Sequence, residues 1–560
     1  MPNVKPFYPS DTLLKLEFLI NGVNKGLDNF LTEGKVHFEL NKIPFAKFTF
    51  TCSEDDFKEA QGSPIQSLNR GQGTVPITIE VKISFEKEMK TLFKGVIKSL
   101  DIEHENCNVV AKIECKDIAL RLTQTSSEAE NNNQPFGERL TTYTNDLQLS
   151  ENLSGQSWSE EHITQNNTAV PWDYLIGFLD SIGMLVGLRN TEFTGIDIVN
   201  PEITATYVAE NGINVFAYTG RVDPERRRSM VTIQHWDIEN QAVNTVTSQQ
   251  EATENIHTVR IDQTNLQPAT LQRIADTIIA KSKIASISGK VTTFGNLKAK
   301  IGEYIGFNKV NPEIDKETLL ISVEEHLISN GCWKTEFTYG LESERSFTEN
   351  TTTGVNNAHA QVGQSNTVNG LLIGIVTQIE EDPNNQFRIK VRIPMLSENG
   401  EGVWARLATM NAANEMGSYF IPSVNDEVIL GCLGNNPDTP IILGSLYSST
   451  RAMPFPITQD NFIKGFVTKE GTKIVIDDDK KSIELSTKKG NKLTISDDLK
   501  GFAIEDENSN KITLDDQGIT IESSKDLNLK ASGNIKIEGT QIAIEGSAKT
   551  DIKGGTVNIN

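Results

Sequence analysis

The sequence has few cysteines and no long apolar segment, which most redox-active and membrane-spanning proteins require. It has five Cys in 560 residues, and they are scattered: Cys52, Cys107, Cys115, Cys332 and Cys432. An odd, dispersed set is typical of a protein made in a reducing cytoplasm rather than of a disulfide framework. No apolar run approaches the ~18 residues that span a bilayer. Lys15 and Glu17 interrupt the N-terminal segment, so no signal peptide is visible, and we expect synthesis in the cytoplasm.

Positive charge and catalytic motifs are also scarce. The chain carries 53 Lys and Arg against 75 Asp and Glu, a formal net charge of −22, which excludes bulk attraction to nucleic acid or to an anionic membrane. It has no Gly-x-Ser-x-Gly, no phosphate loop and no His-Glu-x-x-His. What it does have is 41 Gly and 19 Pro, typical of a turn-rich, mostly β protein. We therefore expect no enzyme and no cofactor.

A short unit recurs through the C-terminal part of the chain. GNIKIEGTQIAIEG, residues 533–546, contains two copies, built on the apolar pairs Ile535/Ile537 and Ile542/Ile544. Alternation with a period of two predicts strands with one buried face. Similar units start every 9 or 10 residues from 473 onward and then every 7 or 8 residues. Their apolar pairs are Ile474/Ile476, Ile483/Leu485, Leu493/Ile495, Phe502/Ile504, Ile512/Leu514, Ile519/Ile521, Leu527/Leu529 and Val557/Ile559.

Such regularity predicts a repeat fold in which each unit buries its face only on its neighbours. One chain can supply all three sides of a triangular coil, as a monomeric β-solenoid, or three chains can supply one side each. The period alone does not choose between these arrangements. In the trimeric arrangement the residues predicted to form the needle core are Ile512, Leu514, Ile519, Ile521, Leu527, Leu529, Ile535, Ile537, Ile542 and Ile544. These inward positions are apolar, and no His follows His359, so we expect no metal along the shaft.

The segment upstream, residues 370–447, predicts a small closed barrel of short strands separated by turns. Its ordered motifs include Asp382-Pro383, Arg388–Pro394, Phe420-Ile421-Pro422 and Gly444–Tyr447, and the residues selected as its motif positions are Trp404, Arg406, Pro422, Asp426 and Gly444. This stretch resembles the OB-fold domain of contractile-tail spikes, namely the VgrG spike of type VI secretion and the hub-needle protein of phage baseplates. Asn425 departs from the Gly that is usual in the family. Because Asn tolerates a left-handed turn, we expect the turn to be kept.

The first 345 residues mix strands with two amphipathic helices, predicted near Trp172–Ile182 and Pro268–Lys283. Pieces of this region resemble the phage-hub portion of the same family. They are VPWDYL at 170–175, FGNLKAKIGEYIGF at 294–307, and a His…Gly-x-Trp-x-Thr pattern formed by His326, Gly331, Trp333 and Thr335.

The resemblance implies a mainly β protein with β-barrel hub domains and a few helices, an OB-fold collar and a C-terminal trimeric β-helix needle. The expected domains are the hub at 1–345, which docks on the tube, a linker at 346–368, the collar at 369–452, a connector at 453–472 and the needle at 473–560.

The function that the resemblance implies is that of a non-enzymatic homotrimeric spike at the tip of the inner tube of a contractile injection system. Such a spike punctures the target membrane and carries a tip protein and effectors. The implied partners are two further copies, a hexameric inner-tube protein, baseplate proteins, a PAAR-type tip protein and, transiently, the target membrane. The tip protein is expected to dock on Val557, Ile559 and Asn560. The spike is expected in the injection particle, delivered to or released outside the cell.

Two other classes of function remain open. One is a baseplate hub with lysozyme or polysaccharide lyase activity, and the other is an adhesive tail fibre. Nucleic-acid binding by the collar is disfavoured, because Trp404 and Phe420 belong to the structural motif and acidic residues flank them.

Three smaller features have both a structural and a chemical interpretation. Cys107 and Cys115 are eight residues apart and share one strand face if the strand is unbroken, and a buried core pair is favoured over a redox or metal pair. The basic triplet Arg226-Arg227-Arg228 favours a solvated turn over a docking patch. His326 beside Glu324 and Glu325 is compatible with a metal or acid–base site, but the resemblance makes it a structural strand residue.

Overall fold

The computed structural model describes residues 14–58, 68, 76–85, 88–105, 107–124, 134–149, 153, 156–163, 170–238, 240–249, 256–261, 266–342, 370–396 and 400–559. The predicted linker at 346–368 therefore lies outside the described residues. The chain divides into two compact units, residues 1–446 and 447–560. The predicted domain boundaries inside these units stay predictions. Among the helices of the described ranges, none has the length and apolarity needed to cross a membrane.

The hub region, up to residue 342, is mainly β as predicted. Its described strands are Lys15–Ile20 (β1), Val23–Asn24 (β2), Leu31–Glu39 (β3), Phe45–Ser53 (β4), Thr78–Ser84 (β5), Lys90–Glu105 (β6), Asn108–Lys116 (β7), Gln148–Leu149 (β8), Met184–Arg189 (β9), Glu192–Asp197 (β10), Ala205–Glu210 (β11), Val215–Val222 (β12), Met230–Asp237 (β13), Ala242–Gln249 (β14), Ile256–Ile261 (β15), Ile287–Phe294 (β16), Tyr304–Asn308 (β17), Thr318–Ser329 (β18) and Cys332–Tyr339 (β19).

One large sheet runs through the hub region in the order β12-β16-β19-β18-β3-β4-β7-β6-β5-β1-β2, with β17 and then β11 branching from β18. Alternating apolar residues make one face of most of these strands part of the core. Phe18, Phe48 and Phe50 pack edge to face or tilted in the N-terminal half of the sheet. Phe307 and Tyr339 pack together in the other half. The seam between the halves is the antiparallel pair β3–β18.

The helices are Glu54–Lys58 (α1), Phe136–Tyr143 (α2), Pro171–Ser181 (α3) and Pro268–Ala285 (α4). Both predicted helices are confirmed, and each begins at a Pro, whose fixed φ suits the first helical turn. They bury their apolar faces in a separate core that includes Leu175 and Leu271.

The collar is a closed five-stranded barrel, as predicted. Its strands are Leu371–Gln378 (β20), Ile389–Arg392 (β21), Val403–Leu407 (β22), Glu427–Cys432 (β25) and Pro440–Ser445 (β26), and a small hairpin is formed by Ala412–Ala413 (β23) and Met416–Gly417 (β24). The barrel interior is filled by Val376, Ile389, Val391, Ala405, Val428, Leu430 and Ile442. Asn425 adopts a left-handed φ of 72°, so it keeps the turn that Gly usually makes.

The C-terminal unit contains a meander of seven antiparallel strands: Ile463–Val467 (β27), Lys473–Asp477 (β28), Ser482–Ser486 (β29), Lys492–Ser496 (β30), Gly501–Glu505 (β31), Lys511–Asp515 (β32) and Gly518–Glu522 (β33). Residues 523–559, for which the sequence also predicts strands, form none within one chain. A strand of about four residues needs a partner to persist, and a chain that does not fold back on itself supplies none.

An ion pair anchors the first turn of the collar. Arg388 Nη2 lies 2.7 Å from Asp382 Oδ1, and both side chains are buried. The Asp382 carboxylate also accepts hydrogen bonds from the backbone amides of Asn384, Gln386 and Arg388. Burial alone would raise the pKa of Asp382, but the Arg388 guanidinium and these amides hold it well below its usual range.

Asp382→Asn removes the charge and leaves Arg388 buried without its counterion. We expect the free energy of unfolding of the barrel to fall by about 3 kcal/mol. Denaturant-dependent hydrogen exchange of the barrel strands measures this change, and the neighbouring Glu381→Gln is the control, expected to stay within about 0.5 kcal/mol of the unmodified protein. Equal stability of the two variants would contradict the role given to Asp382.

Candidate assembly interface

The strands of the C-terminal meander place their apolar residues on one face. Residues that lie directly opposite each other on neighbouring strands share a face, and Ile474 lies opposite Leu485 while Ile476 lies opposite Ile483. The same register continues to β33 and produces two apolar columns. One contains Ile474, Leu485, Leu493, Ile504, Ile512 and Ile521, and the other contains Ile476, Ile483, Ile495, Phe502, Leu514 and Ile519.

Nothing in the described part of the chain covers these columns. Ile483 is 41% exposed, Ile504 49% and Ile519 71%, whereas the opposite face carries polar residues such as Thr494 and Thr513. Six strands at ~4.8 Å spacing make a strip about 24 Å long. A continuous exposed apolar strip of this kind marks an interaction surface. We call these two columns the apolar strip.

The apolar strip extends the predicted set of core residues. The sequence-based list begins at Ile512, and its first four members lie on β32 and β33 within the strip. Eight earlier residues, from Ile474 to Ile504, share the face. The alternation of apolar and polar residues in the sequence also predicts that these eight residues lie on that face.

The later predicted core residues lie in 523–559. Leu527, Leu529, Ile535, Ile537, Ile542 and Ile544 are between 50% and 68% exposed. A monomeric solenoid would pair each strand with the strand one coil further along the same chain, and the described residues of this segment show no such pairing. The single-chain geometry therefore favours the arrangement in which other chains supply the partners.

The residues predicted to dock a tip protein are exposed where they are described. Val557 is 47% exposed and Ile559 88%. Asn560 lies outside the described residues. Their docking role stays a prediction.

The five collar motif residues serve the barrel itself. Trp404 on β22 lies opposite Lys390, whose Nζ is 6.0 Å from the centre of its ring. Arg406 lies opposite Ile441, Pro422 is buried, and Gly444 occupies a register shift beside Ile429. Asp426 Oδ2 accepts a 2.8 Å hydrogen bond from the Ser423 amide and closes the turn before β25.

Three residues of the His…Gly-x-Trp-x-Thr pattern contact one another in the hub region. Trp333 Nε1 donates to His326 Nδ1 at 3.3 Å, and Thr335 Oγ1 lies 3.0 Å from the same nitrogen. Because an indole N–H can only donate, Nδ1 must be the unprotonated nitrogen, and Nε2–H donates to Glu324 Oε1 at 2.8 Å. Gly295 makes the site compact, since a Cβ there would lie 2.1 Å from the Trp333 ring.

Glu324, His326 and Thr335 have the order of an acid–imidazole–hydroxyl triad, but all three side chains are fully buried. No substrate reaches the Thr335 hydroxyl, so the geometry supports the structural interpretation. Arg189 forms an ion pair with Glu324 and lies over the Phe38 ring.

The charges of this network are fixed by its surroundings. Burial lowers the pKa of His326, which keeps the ring neutral. Burial alone would raise the pKa of Glu324, but Arg189 and His326 lower it to about 2. Both folded-state pKa values lie below the unfolded ones, so both groups contribute stability at neutral pH. That stability is lost as the pH falls below 6.5 for His326, and from about 4.5 towards 2 for Glu324.

Two of the smaller predictions are settled. The expectation that Cys107 and Cys115 share a strand face is wrong, because Cys107 sits in the turn before β7 with a φ of 63° and is exposed, while Cys115 is buried. The turn at Arg226–Arg228 is confirmed. It is a single helical turn from Pro224, and Arg227 Nε donates to Ser286 Oγ.

Three family models match this chain. The Alg8 N-terminal domain matches residues 10–327, more than half of the chain. The type VI secretion system/phage-baseplate injector OB domain matches residues 372–447, and the phage baseplate V C-terminal trimerisation domain matches residues 482–560.

Curated relatives match over short segments. The type VI secretion system spike protein VgrG3 of Vibrio cholerae is 36% identical over 78 residues, which cover 13% of this chain and 8% of that protein. VgrG1c of Pseudomonas aeruginosa is 31% identical over 77 residues, which cover 14% of this chain and 10% of that protein. The matches thus span about a tenth or less of these relatives' own lengths.

Solved structures agree over most of the chain. The half-lidded structure of the Francisella PdpA–VgrG complex has a TM-score of 0.51 at 12% identity, covering 92% of this chain and 89% of that chain. At this identity the likeness shows the fold alone. The family models and the curated matches together show a VgrG-type spike protein whose N-terminal part belongs to the family of the Alg8 N-terminal domain.

Proposed function

We propose that this protein is a homotrimeric, mechanically acting spike at the tip of the inner tube of a contractile injection system. The observation that carries the proposal is the apolar strip, which no described part of its own chain covers. Three copies that turn their strips towards a common axis bury all of them at once. The match of residues 482–560 to a trimerisation domain supports the same stoichiometry.

The arrangement suits a shaft that transmits force. In a closed prism, strand pairing between chains satisfies the backbone groups of residues 523–559, and the shaft has no free sheet edge along its length. The polar residues of the opposite face, such as Thr494 and Thr520, then meet solvent. A narrow shaft of this kind resists bending and punctures a membrane without catalysing a reaction.

We infer the partners from the resemblance to the family. The hub region docks on a hexameric inner tube and baseplate proteins, and a PAAR-type tip protein with its effectors sits on the end that carries Val557 and Ile559. The protein is made in the cytoplasm, joins the injection particle, and is delivered to or released outside the cell.

The full-length protein should be a trimer in solution. Light scattering coupled to gel filtration is expected to give about three times the 61.9 kDa of one chain. A stable folded monomer at micromolar concentration would refute the proposal, because a single chain leaves the apolar strip exposed.

Ile519→Asp should block trimer assembly, because it brings three carboxylates to a dry axis. Thr520→Asp is the matched control, since Thr520 lies on the opposite face of the same strand. Gel filtration should show incomplete assembly for the Ile519→Asp variant and an intact trimer for the Thr520→Asp variant. If both variants assemble equally well, the strip does not face the axis.

Ile559→Lys should release the tip protein and leave the trimer intact, because it places three ammonium groups in an apolar contact. Asn558→Lys, one residue away in the alternation, is the control. Co-purification of the tip protein with each variant measures the difference. Retention at the unmodified level by Ile559→Lys would show that the tip protein docks elsewhere.

A further inference from the structure

His37 on β3 is held between two carboxylates. Its Nδ1 lies 3.0 Å from Glu325 Oε2, and its Nε2 lies 3.1 Å from Glu39 Oε2. An ionised carboxylate can only accept hydrogen bonds, so both ring nitrogens must donate. The geometry therefore requires a doubly protonated imidazolium ring.

The ring sits among further charges on every element that packs against it. It stacks on Phe45 with centroids 4.8 Å apart, and Lys116 Nζ of β7 lies 4.8 Å from the centre of the Phe45 ring. Lys35 Nζ is 2.6 Å from Glu325, and Lys42 Nζ is 2.7 Å from Glu39. The other charged groups in the neighbourhood are Lys47 of β4, Glu336 of β19, Lys290 of β16, Glu342 after β19, Lys98 of β6, and the Asp180–Lys281 pair of α3 and α4.

His37 lies where the two halves of the large sheet meet, so its contacts affect how the halves are held together. His37 lies directly opposite Glu325 in the β3–β18 pair, the seam between the two halves of the large sheet. Two cavities of about 650 and 460 Å³ lie next to the ring, and His37 and Glu39 line both. These cavities leave room for the His37 and Glu39 side chains to move.

We propose that His37 is a proton-dependent clasp across the β3–β18 seam. The imidazolium holds Glu39 and Glu325 together. A neutral ring can donate from one nitrogen only, and its other nitrogen presents a lone pair to the remaining carboxylate. Loss of the proton therefore frees one of the two carboxylates and removes the positive charge from the His37–Glu325 bond, which is the bond that crosses the seam.

The direction of the pH effect follows from this geometry. Burial alone would lower the pKa of His37, but its bonds to Glu325 and Glu39 raise it above 6.5. A raised folded-state pKa contributes stability that is complete below the unfolded value, and this stability is lost as the pH rises through the folded value. His326 acts in the opposite direction, so the two histidines bound the stable pH range of the hub region from both sides.

Thermal unfolding of the full-length protein between pH 6 and 9.5 tests the clasp. In the unmodified protein, the transition of the hub region should fall by roughly 2–4 °C from the acid to the alkaline end. His37→Gln should start lower and stay flat over this range, because Gln carries no charge. His37→Arg should also stay flat, because Arg keeps its charge and can reach both carboxylates.

His104→Gln is the control. His104 is half exposed and the carboxylate of Glu54 is 3.7 Å away, so the variant should show the same pH dependence as the unmodified protein.

Glu39→Gln provides a second test that leaves His37 in place. Neutralising one carboxylate should move the fall in stability to lower pH. The proposal is overturned if His37→Gln keeps the pH dependence of the unmodified protein. If that variant does not fold, an unshifted curve for Glu39→Gln overturns it instead.

Discussion

An apolar face that one chain leaves uncovered is the constraint on which the C-terminal part of this protein depends. The alternation from Ile474 to Ile521 places the Ile, Leu and Phe side chains of six strands on the same side of the meander. Burying an exposed Ile, Leu or Phe contributes roughly 1.5–3 kcal/mol, and each chain brings twelve of them on six strands. This free energy is gained only when chains associate. The folding of the region therefore depends on its oligomeric state.

The hub region and the collar are stabilised in a different way. Both use buried ion pairs whose remaining hydrogen-bonding positions are filled. In the collar, Asp382 satisfies three backbone amides besides Arg388. In the hub region, Glu324 joins Arg189 to a His326 ring whose tautomer is set by Trp333. Losing one partner of such a network leaves an uncompensated charge, which makes alternative packings costly.

Sequence reasoning succeeded where the pattern is local. Period-two pairs identify the face of each C-terminal strand, and period-3.6 spacing locates α3 and α4 to within one or two residues. It failed where the information lies in distant pairing. His37 and Glu325 are 288 residues apart, and nothing in the alternation of β3 or β18 says that they are neighbours. The prediction for Cys107 failed for a local reason, because this residue has a left-handed φ in the turn before β7 and is not part of the strand.

The strands predicted in 523–559 provide the most direct test, since they lack partners within one chain and must obtain them from others. Hydrogen exchange of the assembled full-length protein measures whether they do. The trimeric arrangement predicts that amides around Ile535 and Ile542 are protected as strongly as those of β28 to β33. Exchange at the rate of an unstructured peptide throughout 523–559, in a protein that is otherwise folded and assembled, would contradict it.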